Sequence, residues 1–69
     1  MITIGSQVRY YSLAAPSIPR VAIVTETSTE NPDLPVDTVA LCVLNPADVT
    51  VITQASYSAT PQAGCWSLP

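Results

Sequence analysis

The clearest apolar run in the chain is Arg20–Thr27, Arg-Val-Ala-Ile-Val-Thr-Glu-Thr, in which β-branched residues lie between charged ones. A second run, Thr38–Asn45, is also short and apolar and closes on a turn signal. Both are too short for an amphipathic helix, and Val, Ile and Thr suit a pleated, half-buried surface. They are read as two central, neighbouring strands. Asn45-Pro46-Ala47-Asp48 follows, a type I turn pattern with Asn at the first position and Pro at the second. It leads into Val49–Thr53, so Thr38–Thr53 reads as a tight hairpin.

The flanks complete the pattern. Met1–Gln7 is a lead-in with a turn at Gly5-Ser6, and Val8-Arg9-Tyr10-Tyr11 is the first strand. By the period of two, Val8 and Tyr10 face the core, which puts Arg9 and Tyr11 outside together. Ser12–Pro19 holds Pro16 and Pro19 and reads as an arch crossing the barrel, with Leu13 or Ile18 tucked beneath it. Ser28–Asp37 is a polar loop with an Asn31-Pro32-Asp33 turn. Gln54–Ala63 reads as a second loop with Tyr57 as a plug, and Gly64–Leu68 as a short last strand.

Five short strands and no helical periodicity in 69 residues predict a single all-β domain over 1–69, an SH3-like β-barrel or a partly open roll. In an SH3-like barrel the last strand returns beside the first, which would place Trp66 near Tyr10 or Tyr11. The expected core is Val21, Ile23, Leu41, Val43, Val51 and Trp66, with Cys42 as a small residue on one sheet face.

Charge narrows the range of partners. Arg9 and Arg20 stand against Glu26, Glu30, Asp33, Asp37 and Asp48, for a net charge of −3. Two cations cannot neutralise a run of phosphates, so neither nucleic acid nor an anionic membrane is expected as a partner. Only 10% of residues are charged, which predicts a surface partly covered by another protein. The N-terminal residues lack a basic stretch followed by a long apolar one, so soluble intracellular synthesis is expected. Cys42 and Cys65 are then expected as thiols. A disulfide between them, worth roughly 3–4 kcal/mol in the chain-entropy account, stays open for an oxidising medium.

Catalytic equipment is sparse. The chain has no His and no Lys, so imidazole acid–base chemistry, Schiff bases and P-loops are excluded. Two glycines cannot make a phosphate cradle, and the cysteine spacing gives no Cys-x-x-Cys motif. A carboxylate pair such as Asp33 with Asp37 is the one catalytic option left, and a polar Pro-rich loop gives no reason for one of the two to be tuned. The acidic loop also admits a Ca²⁺ reading, against which stands the lack of EF-hand spacing. The expectation is a non-enzyme without a cofactor or metal. Tyr10, Tyr11, Tyr57 and Trp66 could line a groove for a Pro-rich peptide, or instead Trp66 and Tyr10 are core and Tyr57 covers a loop.

The motifs Gly5-x-x-Val8-x-Tyr10, Arg20-x-Ala22-Ile23-Val24-Thr25-Glu26, Val39-x-Leu41-x-Val43-Leu44-Asn45-Pro46 and Gly64-x-Trp66-x-x-Pro69 occur in order. In this the chain resembles a group of small, mostly uncharacterised proteins of tailed bacteriophages and prophages. It departs from them at Leu68 and at Val51-Ile52, where members often carry aromatics. The resemblance implies a place in the virion and brings no catalytic residues. The expected function is a structural component of a phage particle, a capsid cement or decoration protein binding the major capsid protein or another virion protein, with self-association also open. The alternative is an SH3-like adaptor for a host or phage peptide. The residues expected to touch a partner are Arg9, Tyr11, Tyr57, Ser67 and Leu68, with backbone pairing at an unguarded strand edge. The terminal segments Met1–Gly5 and Ser67–Pro69 are expected to order only on assembly.

Overall fold

A computed structural model describes residues 2–14 and 17–69. It contains five strands: β1 (Gln7–Tyr11), β2 (Pro19–Glu26), β3 (Thr38–Leu44), β4 (Val49–Tyr57) and β5 (Cys65–Ser67). They close in sequence order into a barrel, and no helix occurs among the described residues. This is the small all-β barrel, consistent with the SH3-like type, that the strand pattern predicts. Closure comes from β5, which pairs antiparallel with β1 (Tyr10 opposite Trp66) and parallel with β4 (Tyr57 opposite Trp66). Trp66 thus lies beside Tyr10, as an SH3-like return of the last strand requires.

The β3–β4 hairpin forms around Asn45–Asp48, with Leu44 opposite Val49 and Asn45 N–H donating to the Asp48 carbonyl at 2.9 Å. The Asn45 side-chain amide also donates to the Asp48 carboxylate and to the Thr50 hydroxyl, which fixes the turn. β4 runs on to Tyr57, four residues beyond the expected Thr53, absorbing an irregularity in its pairing with β3 after Ile52.

The core consists of Val8, Tyr10, Ala22, Val24, Val39, Leu41, Val43, Ala55 and Trp66, with Ile2 and Ile52 packed against it. Leu41, Val43 and Trp66 are where the sequence places them. On β2 and β4 the phase is the opposite of that expected. Ala22 and Val24 point inward, while Val21 is exposed and Ile23 half-buried; Val51 is 73% exposed and Ile52 faces in. Both faces of β2 are apolar, so alternation alone could not choose between them. The closed barrel chooses, placing small Ala22 opposite Val8 and Val43.

The arch is also corrected. Leu13 and Ile18 are exposed rather than tucked beneath it, and its Pro16 lies outside the described residues, as does Met1 of the N-terminal segment. The lead-in is tied down within the chain itself. Gly5 N–H donates to the Val24 carbonyl at 2.8 Å, and Val24 N–H to the Ser6 carbonyl at 2.9 Å.

Candidate functional site

Five residues were expected to meet a partner, and the barrel separates them. Tyr11 and Ser67 are each buried although on the outer face of β1 and β5, and their hydroxyls share a hydrogen bond of 2.9 Å. Tyr11 does lie on the face opposite Tyr10. However, Cys65 is its direct neighbour on β5, and Ser67 is the diagonal one. The Tyr11 hydroxyl reaches Ser67, the residue opposite Arg9, so Tyr11 lies on the same strand face as exposed Arg9 but is buried there and not open to solvent.

Tyr57 and Leu68 are exposed and line a shallow cleft of about 320 Å³ with Ile2, Asp37 and Trp66. The Tyr57 ring packs edge-on against Trp66, with centroids 5.1 Å apart. Trp66 is itself held by its indole N–H, which donates to the Asp37 carbonyl at 3.0 Å. A second cleft of about 370 Å³ adjoins this one and runs past Thr27–Thr29 and Thr38. Tyr10, Tyr11 and Trp66 are buried, and of the aromatic residues Tyr57 and, at the cleft floor, Trp66 line the cleft.

Arg9 is exposed and shares a third cleft, of about 340 Å³, with Arg20, Gln7, Pro19 and Val21. The chain's two cations therefore stand at one place on the barrel.

The acidic loop between β2 and β3 is organised by Thr27. Its N–H and hydroxyl both donate to Glu30 Oε1, at 2.9 and 2.6 Å, and its carbonyl accepts from Asn31 N–H. Glu30 thus makes one half of a helix capping box without the helix, while the Thr27 hydroxyl accepts from Thr29 N–H at 3.2 Å, and Thr27-x-x-Glu30 was the unread sequence signal. The hydrogen bonds from Thr27 hold the Glu30 carboxyl below the ordinary carboxylate value. Glu26 Oε1 is taken by the Asn31 side-chain amide at 3.0 Å. Asp33 and Asp37, the one carboxylate pair considered for catalysis, both stand exposed. No group of metal-ligating side chains occurs among the described residues.

The sequence reading missed an apolar surface patch. On the outer face of the barrel Val21, Leu44 and Val49 lie in one row across β2, β3 and β4, and Ile23, Cys42 and Val51 in the next. Val21, Leu44, Val49 and Val51 are exposed, and Ile23 and Cys42 half-buried. Six adjacent apolar residues on three strands make a continuous, uncharged patch, with Gln7 and Arg9 of β1 at its border. Contiguous apolar surface of this kind is uncommon on a soluble monomer and marks interaction sites. The signal was present in the run Val21–Val24, apolar on both faces of a strand where a solvated outer face would alternate with polar residues.

Cys42 and Cys65 are both free thiols, half-buried on β3 and β5. Cys65 borders Tyr10, whose hydroxyl is pushed above its ordinary value by burial and then by the negative charge that a Cys65 thiolate would place beside it. No family model, curated protein or solved structure matches this chain.

Proposed function

We propose that this chain is a non-enzymatic structural component of a bacteriophage particle, a capsid cement or decoration protein. It docks on the major capsid protein through the outer face of β2, β3 and β4. The observation that carries the reading is the two-row patch of Val21, Leu44 and Val49 with Ile23, Cys42 and Val51. The patch is apolar, uncharged and built on strands, so it can meet a flat neutral protein surface without ordering flexible side chains. The motif resemblance to tailed-phage proteins supplies the phage context. The contact dispenses with electrostatic steering, and Arg9 at its border adds at most one charge-assisted bond to a partner carboxylate.

The adaptor reading rests on one feature, the cleft bordered by Tyr57 and Leu68. Copy number separates the two. A cement protein is present in purified virions in numbers comparable with the major capsid protein, and an adaptor is absent, as quantitative mass spectrometry reads directly. Co-sedimentation with empty capsids locates the contact. Leu44→Ser on the patch abolishes it, while Tyr57→Ser leaves it intact, and binding changes little across a salt series. Loss of binding between low and moderate salt, or binding indifferent to Leu44→Ser, overturns the proposal.

A further inference from the structure

β5 is three residues long and meets β4 only at Ser56 and Tyr57. The first half of β4, Val49–Thr53, therefore pairs with β3 alone and presents its other side as an open edge. Strand alternation fixes which backbone groups face that way. The Asn45–Asp48 bond and the Leu44–Val49 register turn Thr50 toward Val43, so the N–H and C=O of Val49 and Val51 point away from β3. The Val24–Ser6 bond on the far side of β2 agrees with the same alternation.

Natural edges are usually guarded by Lys, Pro, inward-pointing charges or a covering segment. β4 has no charged residue or proline from Val49 to Tyr57. Val49 and Val51 are among the most exposed apolar side chains of the described residues.

We infer that two copies of this chain pair edge to edge through β4, antiparallel and centred on Thr50, into a two-fold dimer with one continuous sheet. In this register Val49 of one copy faces Val51 of the other, Thr50 faces Thr50, and the outward N–H and C=O groups of the two valines complete one another. The pairing is self-complementary, as a two-fold interface must be. It sets β-branched residues opposite β-branched residues, a favourable cross-strand combination, and brings no like charges face to face. The sites lie clear of the irregularity after Ile52, where register would be harder to keep. The patch of each copy then continues into that of the other across the dyad. The dimer needs only the β4 edge and stands apart from the capsid reading, since Leu44→Ser removes docking without touching the edge.

The test is sedimentation of the full chain from micromolar to millimolar concentration, with amide hydrogen exchange at both ends of the range. The mass doubles from 7.3 kDa, and the Val49 and Val51 amides become protected only in the dimer. Val51→Pro removes an outward N–H that no β3 group uses, so the variant keeps its fold and stays monomeric. A monomer at all concentrations overturns the inference. So does a dimer in which the Val49 and Val51 amides exchange freely, or one that survives Val51→Pro; these assign self-association to another face. An unfolded Val51→Pro variant leaves the exchange measurement on the unaltered chain to decide.

Discussion

Trp66 donates its indole N–H to the backbone carbonyl of Asp37, a residue held in the left-handed region at φ 64. The same carbonyl accepts Tyr57 N–H at 3.1 Å, so one backbone group joins β4, β5 and the end of the β2–β3 loop. The unusual φ of Asp37 is what aims it. Among non-glycine residues Asp and Asn visit this conformation most readily, because their short polar side chains can hydrogen-bond nearby backbone.

Three substitutions separate the conformation from the bond. Asp37→Gly keeps stability within about 0.5 kcal/mol, since glycine adopts the left-handed region freely, whereas Asp37→Val costs about 1–2 kcal/mol through its β-branch. Trp66→Phe costs about 1–3 kcal/mol, combining a lost hydrogen bond with a small cavity beside Tyr10. Urea unfolding followed by circular dichroism reads all three.

The strand phase has its own test. Leu41 is fully buried, so Leu41→Ala costs about 2–5 kcal/mol. Val51→Thr, on the exposed face of β4, changes stability by no more than about 0.5 kcal/mol. Equal losses from the two would restore the opposite phase for β4.

Burial of Tyr11 predicts a loss that an exposed ring would not give. Tyr11→Phe strips the buried Ser67 hydroxyl of its 2.9 Å partner and costs about 0.5–1.5 kcal/mol. Binding to capsids is unchanged by it at concentrations where the variant is folded. A variant as stable as the parent would return Tyr11 to the surface.

Glu30 makes stability depend on pH at the acid end. Its carboxyl is held below the ordinary value of 4.5 by hydrogen bonds from Thr27. The contribution is complete above the unfolded-state pKa and is lost as pH falls through the lower native one. Thermal melts from about pH 5 downward therefore show a steeper loss for the parent than for Glu30→Gln, which has no carboxylate to protonate. Identical slopes would mean that the Thr27–Glu30 bonds do not persist in solution.

The free thiols predict that Cys42→Ser with Cys65→Ser folds under reducing conditions as the parent does. Circular dichroism and the unfolding midpoint check it, and failure to fold where the reduced parent folds would show that the thiol side chains themselves are needed for packing.

The local sequence determined the elements. β-Branched runs bounded by Pro, Asn, Asp and Gly made five strands, and Asn45-Pro46 made the hairpin, because strand propensity and turn chemistry act over a few residues. Val8, Tyr10, Leu41, Val43 and Trp66 were legible as core for the same reason: on β1 and β3 the inward phase carries the larger apolar residues. Closure of the barrel decided the rest. Val21–Val24 is apolar on both faces, and only packing against Val8 and Val43 selects Ala22 over its neighbours as the inward residue. That selection turns Val21 and Ile23 outward and, with Leu44, Val49 and Val51, creates the patch. Tyr11 and Ser67 became buried because β5 returns beside β1 and joins hydroxyls far apart in sequence. The open edge of β4 exists because three-residue β5 is too short to cover it, a consequence of strand lengths meeting in space that no single run of residues records.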